Sequence, residues 1–215
     1  MSLDAFARLR ISNPYTLHQY YPSPLTANSN LDQDIWIQVL SVSNSSASYN
    51  AANYINLNVS GNTSHAIMQS KQPTDYLPGK GRLILMTGTL LSRAKSVGED
   101  FSSKMGMFDI DTSTPPVITQ GTCFQTDGDT LQWVDATQIA TTTVTQANWN
   151  YDTFDGSGPS GKTLTVSSAE SCILIYMSQE WLGVGGMEVG FVIDNVYRQA
   201  HFFSHSGLSV QYTTT

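Results

Sequence analysis

Residues 55–62 read Ile-Asn-Leu-Asn-Val-Ser-Gly-Asn, and this stretch shows most clearly which fold the sequence favours. Three large apolar side chains alternate with three polar ones before a Gly-Asn pair. Because successive side chains of a strand point to opposite faces, the pattern predicts a half-buried β-strand that ends in a turn. Residues 35–40 show a similar spacing of Ile35, Ile37 and Val39.

Further strand-like segments extend along the chain and are separated by turn sequences such as Pro78-Gly79 and Gly185-Gly186. Almost no segment shows the 3.6-residue period of a helix over three turns. The predicted strands cover residues 82–91, 103–108, 121–125, 130–134, 140–146, 163–166, 171–177, 187–194, 196–203 and 208–212. This series predicts an all-β fold, an antiparallel β-sandwich or jelly-roll-like single domain.

An extended N-terminal arm is predicted over residues 1–30, since Pro14, Pro22 and Pro24 remove backbone donors and block regular structure. We expect the arm to lie along its own domain or a neighbouring subunit. Residues 31–215 show no internal repeat or linker and are predicted to form one β-sandwich domain. The arm residues expected to anchor it are Phe6, Leu9 and Ile11, with Arg8 and Arg10 between them.

The composition favours contacts between proteins over contacts with nucleic acid or membrane. Only 13% of the 215 residues are charged, about half the usual share, and the formal net charge is −7. Neutral polar side chains are less costly to desolvate when another subunit covers them. An anionic chain repels phosphate backbones, and no apolar run approaches the roughly 20 residues that span a bilayer. Cys123 and Cys172 lie in apolar runs and are expected to be buried free thiols.

One segment resembles a nucleotide site. Residues 156–163, Gly-Ser-Gly-Pro-Ser-Gly-Lys-Thr, fit the phosphate-loop pattern, and residues 189–194 resemble the apolar strand that ends in a metal-binding aspartate. A phosphate loop must follow a buried parallel strand and open a helix, whose amides hold the phosphate. The polar stretch before residue 156 and the β-prone stretch after Lys162 predict a surface loop instead.

Other candidate sites have weaker patterns. His201 and His205 are four residues apart on a predicted strand, without a third ligand nearby in sequence, so we predict neither a metal site nor any other cofactor. Trp36 and Trp149 could stack on sugar rings at the surface, although tryptophans in strands more often pack in cores or interfaces. We expect no catalytic residues.

Two parts of the chain resemble a family of virion-associated proteins of tailed phages and other large double-stranded DNA viruses. Residues 4–17, Asp-Ala-Phe-Ala-Arg-Leu-Arg-Ile-Ser-Asn-Pro-Tyr-Thr-Leu, resemble the D-A-F-G-R-L-R-V-S-x-P opening of that family, with Ala7 in place of glycine. Pro14 and Tyr15 complete the set of expected anchors. The later matches are residues 146–150, 155–161, 180–185 and 190–193, and His201 and His205 fit an H-x-F-x-H stretch. The family continues beyond the position of Thr215.

The resemblance implies a non-enzymatic structural protein of the virion, such as a minor capsid, decoration or fibre subunit. Its expected partners are other virion proteins and copies of itself, a trimer being one such arrangement, and it would be made in the host cytoplasm. One alternative is a receptor- or glycan-binding module of a fibre or tail that uses Trp36 or Trp149. A more remote alternative is a nucleotide-binding enzyme that uses residues 156–163.

Overall fold

A computed structural model describes residues 15–16, 36–40, 44–50, 54–60, 64–70, 81–90, 101–111, 116–137, 140–180 and 186–205 of the chain. The described residues confirm the all-β prediction. They form thirteen strands, and their helical structure consists of one short helix, α1 (Val166–Ser171), and one 3-10 turn, Gln146–Asn148. The strands are β1 (Tyr15–Thr16), β2 (Trp36–Leu40), β3 (Ser45–Asn50), β4 (Tyr54–Val59), β5 (Ala66–Ser70), β6 (Gly81–Gly88), β7 (Ser102–Ile110), β8 (Ile118–Asp127), β9 (Thr130–Ala136), β10 (Thr141–Thr145), β11 (Ile173–Glu180), β12 (Gly186–Ile193) and β13 (Val196–Phe203).

The described strands fall into two compact units. The first unit contains β1 and β6 to β13, and the second contains β2 to β5. The sequence predicts a single domain after residue 30. Alternation of side chains indicates where a strand lies but not which strands share a core, so it gives no sign of a division into two units. The predicted boundary at residue 30 stays a prediction, since Tyr15–Thr16 is the part of residues 1–30 that the structure describes.

The second unit consists of two antiparallel strand pairs, β2 with β5 and β3 with β4. The alternating stretch identified in the sequence is β4. Its Leu57 and Val59 side chains are 42% and 38% exposed, so alternation predicts the strand correctly but overstates how much of its apolar face is covered. The predicted turn at Gly61-Asn62 lies outside the described residues.

The first unit is a sandwich of two sheets. One sheet has the order β1-β6-β11-β12-β13 and the other has the order β10-β9-β8-β7. Neighbouring strands are antiparallel, except that β1 pairs parallel with the start of β6. Between β12 and β13, Asp194 and Asn195 have φ values of 56° and 59° and form a two-residue turn, whose backbone matches the twist of the strands.

The core of the first unit lies between these two sheets. The rings of Phe124 on β8 and Phe191 on β12 meet edge to face at 5.2 Å, and Trp133 on β9 lies 5.0 Å from Phe124. All three side chains are at most 1% exposed. Aromatic pairs in this geometry add about 0.5–1.5 kcal/mol each beyond the area that they bury.

Two local predictions are wrong. The predicted strand 163–166 is absent, because Thr163 makes a single bridge to Asp155 and Thr165 caps helix α1, where its N–H donates to the Ser168 hydroxyl at 3.2 Å. Cys123 is a buried free thiol as predicted, whereas Cys172, at the end of that helix, is free but exposed. None of the described residues belongs to a helix with the length and apolarity that crossing a bilayer requires.

Candidate functional site

The segment between β10 and α1, residues 146–165, contains the phosphate-loop motif and closes one end of the first unit. Gln146 is the first residue of this segment, and its side chain bridges the backbone at residues 153 and 164. Its amide nitrogen lies 2.9 Å from the carbonyl oxygens of both Thr153 and Leu164. The Leu164 amide in turn donates to the Phe154 carbonyl at 2.7 Å. The loop therefore has a fixed base, from Phe154 to Leu164, at the rim of the sandwich.

Two aromatic side chains of this segment enter the core. Trp149 is 4% exposed and Phe154 is fully buried, and their rings lie 5.8 Å and 5.2 Å from the Phe191 ring. The Trp149 indole N–H donates to the Val144 carbonyl at 3.2 Å. Phe154 has a φ of 51°, which is unusual for a bulky residue and costs on the order of 1 kcal/mol. The burial of its ring offsets this cost.

The loop formed by the phosphate-loop motif binds the side chain of Asp152. Asp152 is only 4% exposed, and its side chain points into the loop. One carboxylate oxygen accepts from the Phe154 amide and the other from the Ser160 amide, both at 2.8 Å. Gly158 passes so close that an added β-carbon would lie 2.2 Å from Asp152 Oδ1. A backbone loop of this kind is an anion site, and here the anion is a carboxylate of the same chain.

Several other polar groups of residues 156–163 also have partners within the chain. The Gly156 amide donates to the Lys162 carbonyl at 3.1 Å, and the Ser157 amide donates to the Asp155 carboxylate at 2.8 Å. The Lys162 ammonium lies 2.7 Å from the carboxylate of Asp194 in the β12–β13 turn. Hydrogen bonding and charge from this lysine lower the pKa of Asp194. The lysine and aspartate of the nucleotide-like pattern therefore pair with each other at the surface.

The context of the loop also differs from that of a phosphate loop. The preceding residues 150–155 form bends and a single bridge, and helix α1, six residues long, begins after Thr165 instead of directly after the lysine. Within the described residues the parallel strand pairing is that of β1 with β6. The geometry matches the surface loop that the sequence predicts.

Residues 150–152 attach the segment to the outer edge of β13. The Asn150 side chain exchanges two hydrogen bonds with the Phe202 backbone, at 2.9 and 3.0 Å, as a neighbouring strand would. The Tyr151 and Asp152 amides both donate to the Ala200 carbonyl, at 3.1 and 3.2 Å. These contacts satisfy groups that a sheet edge would otherwise leave open.

A second polar cluster lies inside the sandwich. Asp135 on β9 is 3% exposed, and it accepts a hydrogen bond from the Thr122 hydroxyl at 2.8 Å. Its other oxygen lies 2.8 Å from Nε2 of His205, which follows β13. The carboxylate therefore joins the two sheets. His201 lies on β13, four residues before His205, and its Nδ1 accepts from the Asn150 amide at 3.1 Å. Burial lowers the pKa of His201, and the charge of Asp135 opposes that effect.

The arrangement of this cluster fits a structural role better than a chemical one. The threonine and the histidine both bond to the carboxylate, so the threonine is not positioned for activation by the histidine. Burial raises the pKa of the nearby Cys123 thiol to about 12, which makes it a poor nucleophile. In the part of the chain that the structure describes, no group of three His, Cys, Asp or Glu side chains could hold a metal ion.

The predicted site residues have different outcomes. Phe6, Arg8, Leu9, Arg10, Ile11 and Pro14 lie outside the described residues, and Tyr15 lies in β1, where its backbone pairs with Gly81. Trp36 lies in β2, where its backbone pairs with Ser70. The predicted surface role of its side chain stays a prediction. The predicted surface role of Trp149 is wrong, because the core covers its indole ring.

Sequence reasoning missed the residues that organise this region. Asp152 and Gln146 lie in a polar stretch that shows neither alternation nor a known spacing, and Asp135 ends a run of strand residues. One signal was available for Asp152, since an aspartate shortly before a glycine-rich turn often accepts hydrogen bonds from nearby amides.

No protein-family model, curated protein or solved structure matches this chain. The fold class therefore rests on the described strands themselves.

Proposed function

We propose that this chain is a structural subunit of a virus particle, a minor capsid, decoration or fibre subunit that acts through contacts with other virion proteins and with its own copies. The observation that carries the proposal is the carboxylate of Asp152 inside the phosphate-loop-like segment. The motif that most resembles catalytic chemistry is used to close the sandwich, with both carboxylate oxygens bonded to loop amides.

The fold and composition support the same role. A sandwich with an aromatic core is a rigid support for surface contacts, and only 13% of the residues of the chain are charged. Such a surface loses little solvation free energy when a subunit covers it. The resemblance of residues 4–17 to the opening of a virion-associated family supplies the biological setting. The spacing of large side chains in the arm adds Phe6, Leu9 and Ile11 as the side chains expected to attach the chain to its neighbours.

The test compares two changes to the arm in the virus that encodes the chain. Deleting residues 2–24 removes the proposed anchors together with β1, which pairs with β6. Replacing Phe6, Leu9 and Ile11 by serine removes the apolar anchors and leaves β1 in place. Both proteins are expected to keep the circular dichroism spectrum of the sandwich and to be missing from purified particles.

The matched control replaces Arg8 and Arg10 by lysine, which retains the charge, and this variant is expected to enter particles normally. Incorporation of the triple-serine variant at the wild-type level would contradict the anchoring role. The particle assay is meaningful only for variants that remain folded, so thermal unfolding of each purified chain accompanies it.

The nucleotide-binding alternative is tested separately with ATP and Mg²⁺. Because Asp152 already accepts from the loop amides, a phosphate would face a buried negative charge, and we expect no heat of binding. Saturable binding that Lys162→Ala abolishes would support the enzyme alternative.

A further inference from the structure

The two sheets of the first unit have outer strands that are protected to different degrees. At the outer edge of β13, Asn150 and the amides of the next two residues pair with the strand backbone. At the outer edge of β6, the two residues of β1 occupy the beginning of the strand. Strand β7 carries the exposed Lys104 and a register shift between Asp109 and Ile110. Charges, bulges and covering segments are the usual devices that prevent a sheet edge from pairing with another chain.

Strand β10 carries no charge or register shift, and none of the residues that the structure describes pairs with its outer edge. It lies at the end of the four-stranded sheet, and its register with β9 is regular from Thr141 to Thr145. The side chains of Thr141, Thr142 and Thr143 are exposed. Threonine has a high strand propensity, and threonine pairs across neighbouring strands are favourable. The composition of β10 therefore suits pairing on its free side.

The hydrogen bonding of β10 shows which groups are available. The Thr137 amide donates to the Ala140 carbonyl at 2.8 Å, which makes Ala140 a bonded position of the hairpin. Bonding direction alternates along an antiparallel ladder, so Thr142 also faces β9. The backbone groups of Thr141, Thr143 and Thr145 then point away from the sheet. Three residues thus offer both a donor and an acceptor along the free edge.

The charge distribution indicates a second copy of the chain as the partner. Each chain carries a formal charge of −7, so two copies repel each other, and they repel least when the surfaces that meet carry no charge. Residues 136–151, which contain β10, include no Lys, Arg, Asp or Glu. Asp135 and Asp152 at the two ends of this range are buried and hydrogen-bonded. A neutral edge matches a copy of itself, whereas a basic partner would find no opposite charge on it.

We propose that β10 is a self-association site, where the strands of two copies pair antiparallel about a two-fold axis near Thr143. The pairing occupies the outer edge of β10 in each of the two copies, so association stops at two chains. A pair of five-residue strands buries less than the roughly 1,200 Å² of a standard interface, so the dimer should be weak in dilute solution. This inference specifies a surface for the contacts between copies in the proposed function, and it predicts a dimer, whereas the sequence analysis names a trimer as one arrangement.

Sedimentation of the full chain over a wide concentration range tests the proposal. Wild-type protein is expected to show a monomer–dimer equilibrium that strengthens at high salt, where repulsion between the anionic chains is screened. Thr143→Pro removes an outward amide without removing a bond to β9, and Thr143→Lys places a charge on the edge. Both are expected to weaken dimerisation at least tenfold, while Thr143→Ser retains it.

Cross-linking locates the contact. In a Cys172→Ser background, Thr143→Cys is expected to form a disulfide-linked dimer under mild oxidation, whereas Ser157→Cys, in the exposed loop, is expected to form no disulfide-linked dimer. A wild-type chain that stays monomeric at every concentration would overturn the proposal, even if it pairs with a strand of a different protein. Association that Thr143→Pro leaves unchanged, or growth beyond two chains, would overturn it equally.

Discussion

Replacing Asp152 by alanine should destabilise the sandwich through the two amides that its carboxylate now satisfies. The Phe154 and Ser160 N–H groups each donate to it at 2.8 Å, and Asp152 is 4% exposed. A hydrogen bond to a charged group contributes about 1.5–3 kcal/mol, and its loss leaves a buried donor unsatisfied. The two bonds together predict a loss of about 3–6 kcal/mol in the free energy of unfolding.

Urea denaturation followed by tryptophan fluorescence measures this loss, because Trp133 and Trp149 are buried in the same core. Ser157→Ala is the matched control. The Ser157 hydroxyl donates to Asp155 in the same loop but is exposed, so its removal should leave the midpoint near that of wild type. A loss below about 1 kcal/mol for Asp152→Ala would refute the idea that the loop is built around this carboxylate.

Gly158→Ala provides an independent check on the same contact. Its β-carbon would lie 2.2 Å from Asp152 Oδ1, so the substitution should be costly in the wild-type chain and cheaper in the Asp152→Ala background. Equal costs in the two backgrounds would show that the glycine is required for another reason.

Three further predictions concern the core and its buried groups. In native protein a thiol reagent should modify Cys172 quickly and Cys123 only after unfolding; rapid reaction of both thiols would contradict the burial that raises the pKa of Cys123. Burial lowers the pKa of His201, so the unfolded chain takes up the proton more readily, and stability should fall as the pH drops through about 6.5. His201→Gln, followed by thermal unfolding at several pH values, should reduce this slope, and an unchanged slope would assign it to other groups. Trp149→Ala should cost about 3–5 kcal/mol in urea unfolding, and a neutral effect would be incompatible with its place in the core.

Alternation of side chains predicts most of the strands of the first unit. The predicted strand 196–203 coincides with β13, and the predicted strands 121–125 and 130–134 fall within β8 and β9. Phe124, Leu131 and Trp133 of β8 and β9 lie in the common core, and apolar residues two positions apart are the signal by which such strands are predicted. In contrast, β3 and β5 were not predicted, because Ser45–Asn50 is almost entirely polar and the apolar residues of Ala66–Ser70 are consecutive instead of alternating.

The organisation of the candidate site could not be predicted in the same way. Asp152 acts through a loop that folds back onto it, and its partner Ser160 is eight residues away in the sequence. Asp135 and His205 are separated by 70 positions and meet because two sheets pack face to face. The spacing of residues within a short stretch of sequence does not indicate contacts between residues that are far apart in the chain. The context of the phosphate-loop pattern predicts a loop, but the carboxylate that accepts from the loop amides becomes visible only in three dimensions.

The two rings that residues 149 and 154 insert between the sheets affect how a mutational screen of this protein should be interpreted. A screen that scores only the assembly proposed above would rank substitutions at Trp149 and Phe154 among the strongest defects, and a reader could mistake them for contact sites. Their side chains face inward, so such variants would fail inside the cell before any neighbour is met. Measuring soluble protein alongside yield would separate these failures of the subunit from genuine failures of recognition.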